Sequence, residues 1–202
     1  MYVVGLEQGM PPLDIFMRKK PRSELKLKVV LALDESTSMG DSEKMRANGE
    51  ALLAYGDAIK AIDPDAQISG IGFSDHVRLH HGFESDWGDQ AKAHIMHQAK
   101  GEYSATDDER GMAESLGLLM MAGAEAGMVR AFTDGQGMPG TKKWVDQANA
   151  ENVSTLLIGV GAGCEATRQF GENGLHASGI AQLIQKLSTS EASAAKKAGW
   201  IG

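Results

Sequence analysis

The stretch that decides the fold class is Val29-Val30-Leu31-Ala32-Leu33-Asp34-Glu35-Ser36-Thr37-Ser38, in which an apolar run passes directly into oxygen-bearing side chains. A later apolar run ends in the same way, at Phe132-Thr133-Asp134-Gly135. Each run predicts a buried strand that delivers an aspartate at its carboxyl end. Because the carboxyl ends of parallel strands lie at one edge of an open sheet, where ligands bind, we expect Asp34 and Asp134 to lie close together.

Strand and helix patterns alternate along the chain, which is typical of a parallel α/β sheet. Residues 77–81 are predicted as a short antiparallel strand at a sheet edge, entered through the turn Ser74-Asp75-His76. We therefore predict an α/β fold with a central, mostly parallel sheet. The other predicted strands cover residues 26–33, 67–73, 128–133 and 155–160, and the predicted helices cover residues 41–62, 90–100, 108–126, 141–150, 166–170 and 178–187.

The polar residues after the two strands offer only oxygen atoms as metal ligands. Asp34 and Asp134 bring carboxylates, while Ser36, Ser38 and a later threonine bring hydroxyls. Oxygen donors suit hard cations such as Mg²⁺, Mn²⁺ or Ca²⁺ rather than zinc or copper. Aspartate and serine also commonly cap helices, so capping is an alternative role for Asp34 and Ser36.

The pattern resembles the metal-ion-dependent adhesion site (MIDAS) of von Willebrand factor A (vWA) domains, whose first element is Asp-x-Ser-x-Ser after the first strand. The threonine element of the family matches Thr106, followed at the right distance by Gly111, and the final element matches Thr133-Asp134-Gly135. Thr37 stands where the family usually has glycine, and Asp108 where it has a second hydroxyl residue. The resemblance runs from about residue 26 to about residue 187 and implies a Rossmann-like vWA fold with helices on both faces of the sheet.

The resemblance also implies a ligand set and a kind of partner. Ser36 and Ser38 are expected to bind Mg²⁺ directly, Thr106 directly or through water, and Asp34 and Asp134 mainly through waters, with Mn²⁺ or Ca²⁺ as alternative ions. The position left open takes an aspartate or glutamate side chain from a partner protein. Without a cation, we expect Asp34 and Asp134 to repel each other.

Within the family, a narrower likeness is to the vWA domain of a cobaltochelatase subunit and to chelatase-type partners of AAA+ ATPases. The residues that carry it are Asp14-Ile15-Phe16-Met17-Arg18-Lys19-Lys20, and Gly159-Val160-Gly161 followed by Ala166-Thr167-Arg168-Gln169-Phe170. It implies a non-catalytic adaptor that works with an ATPase. We predict a metal-dependent protein-interaction domain rather than an enzyme.

The alternative class is a metal-dependent phosphohydrolase that uses the same acidic pole. A phosphatase of the haloacid dehalogenase type needs a second acid two residues after its nucleophilic aspartate, and Ser36 stands there instead. Ser36 also lacks the Gly-x-Ser-x-Gly turn of a hydrolytic nucleophile. The glycines of Gly159-Val160-Gly161-Ala162-Gly163 have the wrong spacing for a dinucleotide loop and favour a tight turn.

Histidines at positions 76, 80, 81, 94 and 97 suggest zinc as a further alternative. A hydrophilic edge hairpin and a solvated helix face explain these histidines more simply. No cysteine accompanies them, and no HExxH motif is present.

Composition sets further limits on function. A formal net charge of −7 argues against nucleic-acid binding, and the apolar runs are too short to span a membrane. The single cysteine, Cys164, excludes an intrachain disulfide, and no secretory signal is recognised, so we expect a cytoplasmic protein. The predicted organisation is an N-terminal extension over residues 1–25, a vWA domain over 26–187 and a C-terminal tail over 188–202.

Overall fold

The computed structural model describes residues 26–40, 42–101, 103, 105–134, 140–161, 170 and 173–197. The predicted N-terminal extension, Gly135, Cys164, most of the helix predicted at 166–170 and the end of the predicted tail lie outside these residues. The elements are β1 (Leu27–Asp34), α1 (Ser42–Ile62), β2 (Gln67–Phe73), β3 (Val77–His81), α2 (Asp89–Gln98), α3 (Asp108–Met121), β4 (Ala126–Phe132), α4 (Thr141–Ala150), β5 (Val153–Val160), β6 (Gly174–Ala177) and α5 (Ile180–Lys197).

The strands form a six-stranded sheet in the order β3-β2-β1-β4-β5-β6. All neighbours pair in parallel except β2 and β3, which are antiparallel, so the predicted mostly parallel sheet with one antiparallel edge strand is confirmed. Strand β1 is central and pairs with β4 so that Leu33 lies opposite Phe132. The next residues, Asp34 at the end of β1 and Thr133 after β4, therefore lie side by side.

Alternation along β1 explains why the sheet carries helices on both faces. Successive side chains of a strand point to opposite faces, and both faces are apolar here, as expected for a buried parallel strand. Leu31 and Leu33 pack with residues of α1, α2 and α5, while Val30 and Ala32 pack with residues of α3 and α4. The helical residues in these two cores include Leu52, Ile59, Ile95 and Leu183 on the first face, and Met112, Leu116, Leu119, Val145 and Ala148 on the second.

Several predicted element boundaries are wrong. Helix α3 was predicted to run to residue 126 but ends at Met121, because Gly123 adopts a left-handed conformation (φ 63°) in which the chain turns back onto the helix. The N–H of Ala124 then donates to the carbonyl of Leu119. Strands β4 and β5 begin earlier than predicted, and the short strand β6 was not predicted at all.

Helix α5 continues to Lys197, whereas we predicted that it ends at residue 187. The reason is a buried charge cluster. Arg130, in the middle of β4, donates from Nε to Glu191 Oε1 of α5 (2.8 Å) and from Nη1 to the carbonyl of Ser154 (2.7 Å), and it is fully buried. The Tyr55 hydroxyl also donates to Glu191 (2.7 Å). These hydrogen bonds to Glu191 hold the last turns of α5 against the core. No helix in the described ranges is long and apolar enough to cross a membrane.

The Arg130–Glu191 pair generates a first prediction. Glu191→Gln leaves a buried guanidinium without its carboxylate, and breaking a buried pair in this way costs about 3–5 kcal/mol. The free energy of unfolding, measured by urea denaturation, is expected to fall by that amount. The double variant Arg130→Met with Glu191→Met should lose less than Glu191→Gln alone, because it buries no unpaired charge. A loss below about 1 kcal/mol for Glu191→Gln, the range of exposed pairs, would contradict this role.

Candidate metal centre

Asp34 anchors the centre at the end of β1. Its carboxylate is fully buried and accepts hydrogen bonds from neutral donors. The backbone N–H of Ser36 donates to Oδ1 (2.9 Å), which folds the chain into a tight turn after the strand, and the Thr133 hydroxyl donates to Oδ2 (2.8 Å). The ends of β1 and β4 are therefore joined through this one side chain.

Three hydroxyl groups lie together in front of Asp34. The Ser36 and Ser38 hydroxyl oxygens are 2.9 Å apart, and the Ser38 hydroxyl is 3.5 Å from that of Thr106. Ser36 precedes a short 3-10 turn over Thr37–Met39 but makes no capping hydrogen bond with its side chain. The alternative of a helix-capping role for Ser36 is therefore wrong, and its hydroxyl belongs to the cluster.

The loop that carries Thr106 is held against the first loop by backbone contacts and by close packing. The N–H of Thr37 donates to the carbonyl of Tyr103 (2.7 Å), and the N–H of Asp107 donates to the carbonyl of Ser74 at the end of β2 (3.1 Å). Gly111 lies directly over the Phe73 ring, and a Cβ atom there would be 2.7 Å from Phe73 Cγ. Glycine at this position lets the start of α3 approach the sheet edge closely enough to present Thr106.

Asp134 is fully buried and is reached by a lysine that sequence analysis missed. Lys44 Nζ lies 3.2 Å from Asp134 Oδ2 and donates to the carbonyl of Ser38 (2.9 Å). The expected repulsion between Asp34 and Asp134 is therefore balanced by an ammonium group from α1. The sequence did contain a signal for this role. Lys44 comes just after the loop that follows β1, in the first turn of α1, and the start of this helix lies at the same sheet edge as the two aspartates.

Glu35, also missed, points away from the hydroxyl cluster into a second charged network. Its buried carboxylate accepts from Arg78 Nη1 (3.2 Å) and contacts His80 Nε2 (2.7 Å). The Arg78 guanidinium stacks 3.4 Å from the centre of the Tyr103 ring. This network ties the edge strand β3 to both loops of the candidate site.

The network also changes the interpretation of the histidines. His80 was predicted to be a solvated hairpin residue, but its side chain is almost fully buried against Glu35, while His76 is exposed at the turn. In the described part of the chain, no three His, Cys, Asp or Glu side chains are arranged to hold a metal ion. Among these residues, therefore, no cluster of side chains supports the zinc alternative.

Burial dominates the electrostatics of the centre. It raises the pKa of Asp34 from 3.8 to about 6, and the negative charge of Asp134 adds to this effect, while hydrogen bonds from Ser36 and Thr133 oppose it. Two buried carboxylates beside three hydroxyls form an all-oxygen donor set whose charge calls for a cation, and a lysine ammonium already lies against it. The donor set thus fits a hard divalent ion. The structure brings all the predicted ligands together, and their binding of a metal stays a prediction.

Solved structures with the same fold support the fold class. Proximal thread matrix protein 1 (PTMP1) from the mussel byssus has a TM-score of 0.67 at 17% identity, covering 85% of this chain and 48% of PTMP1, so this chain spans about half of that protein. BatB from Bacteroides thetaiotaomicron has a TM-score of 0.66 at 12% identity, covering 84% of this chain and 99% of BatB. The SpRpn10 VWA domain has a TM-score of 0.62 at 13% identity, covering 81% of this chain and 93% of that domain.

At these identities the comparisons establish the fold alone, and they confirm the predicted vWA-like α/β architecture. No protein-family profile matches the chain. Another structure of PTMP1 has a zinc-occupied MIDAS motif, with a TM-score of 0.66 at 16% identity to this chain. The narrower likeness to a cobaltochelatase subunit stays a prediction.

The environment of Asp34 predicts an unusual pH dependence for the metal-free protein. With a pKa of about 6 in the folded state against 3.8 for the free side chain, the folded state keeps a proton that the unfolded state releases. This contribution to stability is fully present at low pH and is lost as the pH rises through about 6. In EDTA, wild-type protein should therefore lose stability relative to Asp34→Asn between about pH 4 and about pH 7. If urea denaturation showed that wild-type protein gains stability relative to Asp34→Asn over this pH range, the raised pKa would be contradicted.

Gly111 offers a steric prediction with a matched control on the same helix. Gly111→Ala forces a methyl group against the buried Phe73 ring, so we expect a loss of about 1–3 kcal/mol in the free energy of unfolding. Gly117→Ala places the same methyl group in open space and should stabilise the protein by up to about 1 kcal/mol through helix propensity. Equal stability of the two variants would show that Gly111 is not needed for close packing.

Proposed function

We propose that this chain is a divalent-metal-dependent protein-interaction domain whose ion takes a carboxylate from a partner protein. The observation that carries the proposal is the cluster of Ser36, Ser38 and Thr106 hydroxyls beside two buried aspartates. Ser36 and Ser38 would hold the ion directly, Thr106 directly or through water, and Asp34 and Asp134 mainly through water. Mg²⁺ is the ion we propose, with Mn²⁺ or Ca²⁺ as substitutes, since all donors are oxygen atoms.

The exposure of the residues favours an approach from the hydroxyl side. Asp34 and Asp134 are fully buried, whereas Ser38 and Thr106 are partly exposed and Thr37 is exposed beside them. A partner side chain therefore meets hydroxyl groups rather than the aspartates. When bound, the ion supplies a positive charge. Because its direct ligands are neutral hydroxyls, they do not cancel this charge, and it can attract an incoming anion. Without the ion, a partner carboxylate finds no divalent cation and lies near two aspartates that share one lysine ammonium, so association should weaken.

A binding role is favoured over phosphohydrolase chemistry by the residue two positions after Asp34. A phosphatase of the haloacid dehalogenase type needs a second acid there, and Ser36 occupies that position with a hydroxyl that lies 2.9 Å from that of Ser38. The zinc-occupied MIDAS motif of PTMP1 supports a divalent ion in a motif of this kind. We therefore assign no catalytic residue.

The partner we propose is a AAA+ ATPase of the chelatase type, met in the cytoplasm. Its support is the sequence likeness of residues 14–20, 159–161 and 166–170 to chelatase-associated vWA domains. In this proposal the domain is an adaptor that passes ATP-driven movement to a bound protein.

Metal binding is tested with matched loop variants. Titration calorimetry with Mn²⁺ should detect binding to wild-type protein and to Thr37→Ala, which removes an exposed hydroxyl from the same loop. The double variant Ser36→Ala with Ser38→Ala should bind at least about tenfold more weakly, because it removes both direct protein ligands. Equal affinity of all three proteins would refute the proposed ligand set.

The partner is tested by affinity capture in Mg²⁺ and in excess EDTA, with bound proteins identified by mass. A true partner should be lost in EDTA and with the double serine variant, but retained by Thr37→Ala, and replacing one of its aspartates or glutamates by the amide should abolish binding. Equally tight capture in EDTA would refute the metal-bridged mechanism. Steady turnover of p-nitrophenyl phosphate that Asp34→Ala abolishes would favour the enzyme instead.

A further inference from the structure

We infer that Lys44 is an internal counter-cation that competes with the divalent ion for Asp134 and so lowers the metal affinity of the site. The inference rests on the proposed function, since it assigns a control element to the same centre. It goes beyond the ligand set, because Lys44 is not a metal ligand and lies on α1 rather than on either loop.

The contacts of Lys44 place its charge inside the centre. Its Nζ atom donates to the backbone carbonyl of Ser38, at 2.9 Å, and lies 3.2 Å from Asp134 Oδ2. The side chain is only 15% exposed, and Asp134 is fully buried. An exposed lysine–carboxylate pair contributes little to stability. Here the carboxylate is removed from water, so a nearby group must balance its charge.

The two aspartates are balanced in different ways, which identifies the role of the lysine. Asp34 accepts hydrogen bonds from the Ser36 N–H and the Thr133 hydroxyl, which carry no formal charge. Asp134 receives a full positive charge from Lys44. The ammonium group of Lys44 therefore supplies positive charge to the acidic pole.

A divalent ion held by the Ser36 and Ser38 hydroxyls would bind near this ammonium group, because Lys44 Nζ donates to the backbone carbonyl of Ser38 itself. Neighbouring like charges repel each other in a partly buried site. The ion must either displace Lys44 from Asp134 or bind beside it, and both cases reduce affinity. The expected consequence is opposite in the two states, since Lys44 stabilises the metal-free protein and weakens the metal-bound one.

The test uses Lys44→Met, which keeps the apolar stem and removes the charge. We expect it to be less stable than wild type to urea in EDTA and to bind Mn²⁺ at least about tenfold more tightly by calorimetry. Lys44→Arg keeps the charge and should remain near wild type in both measurements. Arg46→Met removes one positive charge from an exposed position on the same helix and controls for net charge.

The stability readout does not depend on metal and is made specific by a double-mutant cycle in EDTA. If Lys44 balances Asp134, the effects of Lys44→Met and Asp134→Asn should be strongly non-additive, with the double variant more stable than Lys44→Met alone. Additive effects would overturn the inference. If Lys44→Met is too unstable to titrate, Lys44→Gln takes its place in both measurements.

The outcomes separate this inference from the proposed function. Mn²⁺ binding by wild type with equal or weaker binding by Lys44→Met would overturn the competition and leave the metal site intact. Absence of Mn²⁺ binding by both proteins would overturn the proposed function and the competition together. Tighter binding by Lys44→Met but not by Arg46→Met would support the inference.

Discussion

The parallel pairing of β1 with β4 is the constraint on which the rest of the structure depends. It places Leu33 opposite Phe132, so that Asp34 and the segment Thr133 to Asp134 leave the sheet at neighbouring positions. Both aspartates are fully buried there, and buried carboxylates are costly unless hydrogen bonds or cations balance them. The turn after β1, the hydroxyl cluster and the position of α1 can all be understood as answers to that cost.

The buried carboxylates of Asp34, Asp134 and Glu35 are balanced by three different means. Asp34 accepts from neutral donors, Asp134 lies against the Lys44 ammonium, and Glu35 is held by Arg78 and His80 on the edge strand. The Glu35 network is structural, because it ties the two loops together through the Tyr103 ring. The Asp34 and Asp134 pair is the one next to the partly exposed hydroxyls, so the proposed ion would bind there.

The local sequence pattern predicted the bounds of an element correctly where its apolar periodicity ended at turn-forming residues. Strands β2 and β3 and helix α4 lie where the periodicity predicted them, because each is bounded by turn residues. The pattern failed where apolar residues continue across an element boundary. The helical period was predicted to run through Gly123 to residue 126, yet Gly123 reverses the chain soon after Met121. Strand β6 escaped prediction because four residues carry too little periodicity.

The sequence by itself determined the class of fold and the chemistry of the candidate donors, since apolar runs that end in aspartate and hydroxyl residues are local features of the chain. Only the tertiary structure decided which charges balance these donors. Lys44 and Asp134 are 90 positions apart, and Arg130 and Glu191 are 61 apart. Pairing at such separations follows from how helices pack across the sheet and from the cost of an unbalanced buried charge, neither of which leaves a periodic signal in the sequence.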